Sequence, residues 1–378
     1  MIFILSKFNS IWFWQRSLSP HIAYVASEIK ILGVEVIYVV NELISSDRKK
    51  IGWKRPAKLL FSKLVIEKAV NSLTRLIKSA SVDSVHICQG LRGNNLIGVV
   101  QKELAKKKIK QWLVLEKVEE KFFSKITKRI IYRWLLYYSR NNIEGILAIG
   151  HKSKNWYIAR GVKSDKIYPF AYFLSDSILK TKKSRKNYSV FRFIFVGQLI
   201  ERKRVDFLIR GLSTLIDKID FELEIVGEGP LRSELQLLAN TLIPGRVNWL
   251  KKIPLEEVPQ RIANADCLVL PSRHDGWGAV VSEALMVGTP VICSDECGSS
   301  EIVIASGTGS VFQKDNFKEF SSILFKTVKN GFFKNSKRFH LKKWARCLGA
   351  KAGAKYLIKI LLFSRGYGNR PLPPWIKF

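Results

Sequence analysis

Two kinds of segment alternate along this chain, and their alternation constrains the fold more than any other feature. Short runs of β-branched and aromatic residues, MIFIL at 1–5, VEVIYVV at 34–40, SVHIC at 84–88, QWLVL at 111–115 and GILAIG at 145–150, are spaced by helical stretches near 20–32, 56–79 and 95–107. Strands joined through helices pair in parallel, and a parallel sheet needs helices on both faces. The rhythm restarts at FRFIFVG (191–197) and continues through FELEIVG, VNWL, CLVLPS, PVICSD and GSVF. Helices are expected between these runs near 205–218, 230–242, 255–264, 279–287, 299–305 and 316–329. At 378 residues the chain is longer than one core usually supports. The expected fold class is therefore α/β, with two similar domains in tandem. Residues 1–175 form the first and 191–335 the second. Between them, DSILKTKKSRKNYSV (176–190) has almost no apolar face and reads as a basic linker. A last helical stretch near 334–363 has no strand after it, so 336–378 is expected to pack across both domains.

The charge balance narrows the partners. The chain carries 64 Lys and Arg against 31 Asp and Glu, a net charge of +33. That excess attracts nucleic acid, phosphate esters or an acidic membrane face. Both halves share it, and no helix-turn-helix, RRM or KH signature accompanies it, so nucleic acid is not an expected partner. Basic and aromatic residues interleave in KFFSKITKRIIYRWLLYYSR (121–140). This stretch fits an amphipathic helix with a solvated basic face or a helix lying on an anionic membrane. Five cysteines without a C-x-x-C pair fit small buried hydrophobes in a reducing compartment and argue against zinc. The opening MIFILSKFNS is the reverse of a signal peptide, and no run of eighteen apolar residues occurs. The expected location is cytoplasmic, peripheral on the inner face of the membrane.

The stretch ADCLVLPSRHDGWGAVVSEALMVGTPVICSD (265–295) carries the most chemistry. A buried strand ends at Pro271, a loop follows, and a helix begins near Gly278. Gly276 and Gly278 let backbone approach a ligand, and a helix start offers unpaired N–H groups and a positive dipole, which suits a diphosphate. Asp275 ahead of the helix and Glu283 inside it bracket that site with two carboxylates able to hold hydroxyls. A second strand–loop–helix, FIFVGQLIERKRVDFLIRGL (193–212), clusters Arg202, Lys203 and Arg204 where cations would neutralise phosphate. The Gly-x-Gly-Pro turn in LEIVGEGPLRSEL (223–235) is a weaker sign, consistent with an ordinary tight turn. No D-x-D triad or His cluster suggests a metal.

The order of these signals, ending in A-D-x-L-V-L-P-S and D-x-W-G-x-x-x-x-E-A-L-x-x-G-x-P-V-I, closely resembles the nucleotide-sugar-binding domain of retaining glycosyltransferases of the GT-B fold, the large fourth family. The resemblance is strong over 191–305 and weaker before it. It implies two Rossmann-like domains facing a cleft, with a C-terminal helix crossing over. It also implies a nucleotide-sugar donor as co-substrate, a saccharide or lipid-linked acceptor, and no cofactor or metal. By resemblance, Asp275 meets the donor sugar, Glu283 the nucleotide ribose, and the backbone of Trp277, Gly278, Ala279 and Val280 the diphosphate. Lys203 matches the family's phosphate-binding lysine. Gln198 stands where the family usually has an arginine, a role Arg202 is placed to fill. FNSIWFWQRSLSPH (8–21) replaces the family's glycine-rich loop after the first strand, leaving Ser19 to His21 as positional candidates on the acceptor side. His86 and Glu116, near the ends of expected strands, have the same standing.

Leaving-group departure from a nucleotide-sugar places an oxocarbenium-like sugar beside growing negative charge on phosphate. Lys203, Arg202 and the helix start at Gly278 supply fixed positive potential there. The family implies retention of anomeric configuration, with a phosphate oxygen assisting deprotonation of the acceptor. The basic, aromatic first half suggests an acceptor at an anionic membrane surface, such as a precursor of bacterial envelope polysaccharide or lipopolysaccharide. Two alternatives share the fold: a nucleotide-sugar epimerase, and a non-catalytic nucleotide-sugar-binding subunit.

Overall fold

The structure, a computed structural model, describes residues 9–50, 55–56, 58–91, 95–119, 125–184 and 190–376. The chain divides into two compact units, the first comprising Met1–Ser175 with Gly349–Lys377 and the second Asp176–Leu348. In the first unit the strands are β1 (Ile11–Ser17), β2 (Val36–Glu42), β3 (Lys63–Ile66), β4 (Val85–Gln89), β5 (Gln111–Glu116), β6 (Ile143–Ile149) and β7 (Ile167–Phe170). They form one sheet in the order β3-β2-β1-β4-β5-β6-β7, and every pairing is parallel. The helices used below are α1 (Pro20–Ile31), α2 (Lys125–Ser139) and α3 (His151–Ile158) in this unit, α4 (Val205–Ser213) and α5 (Ala279–Val287) in the second, and α6 (Ala350–Ser364), which belongs to the first.

The first described strand lies where a loop was expected. The run IWFW places bulky residues on both sides of the pleat, and a strand at the middle of a helix-covered parallel sheet buries both sides. Ile11, Phe13 and Trp14 are accordingly buried. The connection to α1 shrinks to Leu18 and Ser19, and Pro20 takes the first helical position, where its missing N–H costs nothing. The expected strand at 1–5 lies outside the described residues. A second difference is β3, an edge strand within the stretch expected to be helical from 56 to 79. Its Leu-Val-Ile run pairs with β2, and helix begins only at Val70.

His86 belongs to the core and not to the acceptor side. It is fully buried on β4, with its ring stacked against Trp12 and Trp14 at 5.7 and 6.0 Å. The Trp14 indole donates to Nδ1 at 3.0 Å. An indole can only donate, so the proton sits on Nε2, which donates to Ser84 Oγ at 2.9 Å. Both ring nitrogens are thereby used in holding β1 beside β4.

The second unit repeats the plan with β8 (Phe191–Val196), β9 (Phe221–Val226), β10 (Val247–Leu250), β11 (Cys267–Leu270), β12 (Val291–Ser294) and β13 (Ser310–Phe312). The order is β10-β9-β8-β11-β12-β13, again parallel throughout. Two expected boundaries move. The stretch expected as a linker starts inside this unit: Asp176–Lys180 forms a 3₁₀ turn against α5, and Lys183 pairs with buried Asp266 at 2.9 Å. Residues 185–189 of it lie outside the described set. The last helical stretch is broken. Asn335–Trp344 stays in the second unit, where buried Arg338 donates to Ala265 O at 2.6 Å. From extended Gly349 the chain joins the first unit, with Ala350 N donating to Leu174 O at 2.7 Å and Tyr356 OH to Pro169 O at 3.0 Å. Trp375 in the tail is buried beside Phe173. All five cysteines are buried free thiols, and no helix among the described residues is long and apolar enough to cross a membrane.

Burial lowers the His86 pKa from 6.5 to about 3. Below pH 6.5 the unfolded chain binds a proton that the folded one refuses, so this group's contribution to stability is complete above 6.5 and declines toward 3. His86→Gln should melt below wild type at pH 8, with the gap narrowing steadily as pH falls from 6.5 to 5 in thermal unfolding. A gap independent of pH would show that His86 is not held neutral.

Candidate active site

The strand order of the second unit reverses between β8 and β11. Connections from these two strands leave toward opposite faces, opening a crevice at their carboxyl ends, the usual ligand position in such sheets. The β8 loop is fixed from beneath by the turn after β9. Gly197 N donates to Val226 O at 3.0 Å and Leu199 N to Glu228 O at 2.9 Å. Backbones meet so closely that a Cβ at Gly227 would collide with Gly197 O, and one at Gly229 with Leu199 O. The Gly-x-Gly-Pro turn is therefore the support of the phosphate-loop candidate, not a separate site.

That loop ends in a 3₁₀ turn, Glu201–Lys203, followed by Arg204 in the left-handed region at φ 54° as the cap of α4. The Arg204 guanidinium pairs with Asp315, which holds this corner. The corner turns Arg202 and Lys203 toward the β11 loop. Arg273 N donates to Arg202 O at 2.9 Å, and Arg202 Nη1 donates to His274 O at 2.6 Å. Lys203 Nζ pairs directly with Asp275 Oδ2, and Arg202 Nη1 lies 3.8 Å from Asp275 Oδ1. Gln198 is exposed in the same loop.

The β11 loop leads into α5 through Gly276, Trp277 and Gly278. The Trp277 side chain is buried, with Nε1 donating to Ser282 Oγ at 3.0 Å. Its ring anchors the loop while its backbone runs along the helix start. Gly278 adopts φ 82°, and a Cβ there would press on the Leu270 side chain at 3.0 Å. Glycine is required twice over, by conformation and by space. Beyond it, Ala279 and Val280 have first-turn N–H groups with no acceptor inside the helix. This turn therefore presents positive potential to the crevice beside Arg202 and Lys203. The Ser272 hydroxyl within the loop and the Ser299 hydroxyl, 3.3 Å from where a Cβ at Gly278 would sit, are buried without hydrogen-bond partners among the described residues.

The two carboxylates differ in state. Asp275 is bound by a lysine. Glu283, one turn into α5, has no hydrogen-bond or ion-pair partner among the described residues, and burial pushes its pKa up to about 8. A carboxyl group of this kind both donates and accepts hydrogen bonds near neutral pH, which suits vicinal hydroxyls. Among the described residues, no group of three or more His, Cys, Asp or Glu side chains is arranged to hold a metal ion.

The first unit has its own concavity of about 360 Å³ at the carboxyl ends of β1, β4 and β5, lined by Gln15, Ser19, Arg48, Gln89, Glu116 and Tyr172 among others. His21 stacks on Tyr172 at 4.7 Å, and the Tyr172 hydroxyl donates to Glu116 Oε1. The structure thus brings His21 and Glu116 together through Tyr172 and leaves His86 in the core. Burial, aided by the Arg48 charge, lowers the His21 pKa to about 3, so the ring is neutral. Sequence reasoning missed Gln15, Arg48 and Tyr172. Only Gln15 gave a signal, as a polar residue inside an apolar strand. Its Nε2 is buried with no hydrogen-bond partner among the described residues.

The raised Glu283 pKa has a sign that can be checked. The unfolded chain ionises this group near 4.5 and the folded one near 8, so its cost to stability grows from pH 4.5 to 8 and then levels off. Glu283→Gln removes that cost. The variant should out-melt wild type at pH 9, on a scale of about 2–4 °C per kcal/mol for a chain region of this size, and match it near pH 5. Equal melting at both pH values would mean the carboxyl is solvated.

Residues 176–346 match the family described as glycosyl transferases group 1. Among curated relatives, an uncharacterized glycosyltransferase of Methanocaldococcus jannaschii is 28% identical over 163 residues, 41% of this chain and 45% of that protein. A GDP-mannose-dependent alpha-(1-6)-phosphatidylinositol monomannoside mannosyltransferase of Mycolicibacterium smegmatis is 35% identical over 127 residues, 31% of this chain and 33% of that protein. The chain thus aligns with less than half the length of these relatives. Solved structures align over nearly the whole chain. A lipopolysaccharide outer core galactosyltransferase, WaaB in its apo form, covers 94% of this chain and 99% of its own at 18% identity and a TM-score of 0.67. The Anabaena protein Alr3699/HepE in complex with UDP covers 93% of this chain and 99% of its own at 14% identity and a TM-score of 0.71. Both units are accordingly Rossmann-like and the fold is GT-B. The second unit, which contains the crevice just described, carries the match to the glycosyl transferases group 1 family.

Proposed function

We propose that the protein is a retaining, metal-independent glycosyltransferase. It moves a sugar from a nucleotide-sugar donor to a saccharide or lipid-linked acceptor in the synthesis of envelope polysaccharide or lipopolysaccharide. The observation that carries this reading is the meeting of Lys203, Arg202, Asp275 and the α5 start across two loops of one switch point. In the proposed complex the diphosphate lies against the first-turn amides of Gly278, Ala279 and Val280. It takes Lys203 and Arg202 as counter-charges, which frees Asp275 for the sugar hydroxyls. Glu283 receives the ribose. As the glycosidic bond to phosphate breaks, negative charge grows where these cations and dipoles are already fixed, so little reorganisation is needed. Retention, with the departing phosphate oxygen taking the acceptor's proton, rests on the family resemblance. The saccharide acceptor is assigned to the concavity of the first unit, where His21, Glu116 and Tyr172 meet.

Asp275→Asn and Glu283→Gln should each abolish most transfer while far-UV circular dichroism stays unchanged, assayed with UDP- and GDP-sugars. Lys203→Ala removes a charge-assisted contact of about 1.5–3 kcal/mol and should lower kcat/KM by roughly ten- to a hundredfold. Full activity in EDTA is expected. Wild-type turnover in all three variants would sink the assignment, and a strict Mg²⁺ requirement would sink the metal-free chemistry.

The membrane side of the reading rests on α2. Ile126, Ile130, Trp134 and Tyr138 repeat every fourth residue as one outward ridge and are 72, 59, 62 and 60% exposed. The opposite face packs Leu136 into the core. The face of α2 that meets solvent is thus apolar, edged by Arg129 and Arg133, and not simply basic. Lys128 of this helix donates to Glu119 O at 2.7 Å. Such a helix suits the interface of an anionic bilayer. Phosphatidylglycerol vesicles should retain the protein at low salt and release much of it at high salt, where the Debye length falls to about 3 Å. Equal retention on neutral vesicles would remove the electrostatic part of the reading.

A further inference from the structure

Within the buried run 11–15 of β1, Gln15 is the one polar residue, and it is 1% exposed. Its Nε2 has no hydrogen-bond partner among the described residues. A buried donor left in this state costs stability, and an apolar side chain of the same length would avoid that cost. Gln15 also lines the concavity at the carboxyl ends of β1, β4 and β5, so a ligand entering there can satisfy the amide. A carboxamide holds a donor and an acceptor side by side, and a half turn of its last torsion presents either. Because β1 lies in the middle of the sheet, this amide is carried by a rigid element and not by a loop.

Other polar groups of the same wall are already engaged. Gln89 Oε1 accepts from Arg16 N at 3.0 Å. The Tyr157 hydroxyl of α3 donates to Glu116 O at 2.7 Å, and that of Tyr172 donates to Glu116 Oε1. The charged residues of the lining are Arg48 and Glu116, one of each sign and close enough to interact, so a neutral ligand fits. Tyr132 of α2, with Tyr157 and Tyr172, adds aromatic surface, which suits the C–H face of a sugar ring. The volume of about 360 Å³ is near the lower end of the ~300–1,000 Å³ of small-ligand sites and suits one ring, not a chain of them. We propose that Gln15 is a specificity-determining residue of this cavity and hydrogen-bonds one hydroxyl of a neutral sugar ring of the acceptor. The inference rests on the assignment of the acceptor to this cavity and adds the group that reads it and the absence of charge on the ring. A site built to bond a hydroxyl rejects the analogue lacking it, because its own buried group is then left unpaired.

The test uses Gln15→Met, because methionine is as long and flexible as glutamine but has no amide. Saturation-transfer NMR titrations with the methyl glycosides of glucose, galactose, mannose and N-acetylglucosamine would compare wild type, Gln15→Met and Glu116→Gln. The expected result is a roughly tenfold weaker affinity of Gln15→Met for the best-binding glycoside. Its melting should be no lower than that of wild type, because the amide it loses has no partner to give up. The monodeoxy derivatives of that glycoside complete a double-mutant cycle. One of them should bind wild type about tenfold more weakly than its parent and bind Gln15→Met as tightly as the parent does. Equal losses in both proteins for every derivative would overturn the proposal. So would a lower melting temperature of Gln15→Met, which would make the amide a support of the fold. Wild-type affinity in Gln15→Met together with a loss in Glu116→Gln would overturn the role of Gln15 and leave the acceptor in the cavity. Wild-type affinity in both variants, or no glycoside bound by wild type, would overturn the acceptor assignment as well.

Discussion

The reversal of strand order between β8 and β11 is the constraint on which the candidate site depends. Parallel strands on either side of such a point send their connections to opposite faces, so two loops end side by side with no strand between them. In the second unit these loops carry Arg202, Lys203 and Asp275, and the start of α5 lies among them. The closeness of the β8 loop to the turn after β9 fixes its height. Only glycine at 227 and 229 allows that backbone contact, and the same contact keeps Lys203 within reach of Asp275. A small side chain at either glycine would therefore disturb the cation through the backbone beneath it.

Electrostatically the crevice is built to exchange partners. Lys203 and Asp275 are both mostly buried, at 12 and 14% exposure, and each offsets the desolvation cost of the other. A pair of this kind is worth little net stability but is a ready source of a cation and a carboxylate for a ligand carrying phosphate and hydroxyls. Glu283 has no such partner among the described residues, and burial raises its pKa to about 8, a local cost to stability of the sort found where ligands bind. By contrast, Arg338 and Lys183 converge on buried Asp266. They tie both ends of the second unit to the strand that leads into the site.

The first unit uses the same sheet plan for a different surface. Its core is built around β1 and β4, where Trp14 and His86 form a hydrogen-bonded, stacked pair. One end of the sheet opens into a cavity lined by Tyr172 and Glu116, with neutral His21 stacked on Tyr172. One helix, α2, leaves its apolar ridge uncovered. Ile126, Ile130, Trp134 and Tyr138 are exposed along that ridge, apolar area that water solvates poorly.

Much of the fold was legible because alternation of short strands and helices is a local property. The strands of the second unit, the glycine at 278 and the bounds of α5 follow from periodicity and turn chemistry that neighbouring residues set among themselves. Residues 11–17 were misread because a strand buried on both faces has no alternation, and here it stood where a loop was expected by analogy. The two-residue connection to α1 was hidden for the same reason. At the site, the chain's own order of residues determined Asp275, Gly278 and Glu283 as one loop–helix unit. Only the tertiary structure decided that Lys203 would face Asp275, that His86 would be sealed between tryptophans, and that Gln15, Arg48 and Tyr172 would share a cavity. Those relations join residues up to 157 positions apart along the sequence numbering. They depend on strand order and on close backbone contact, which no local pattern of residue types encodes.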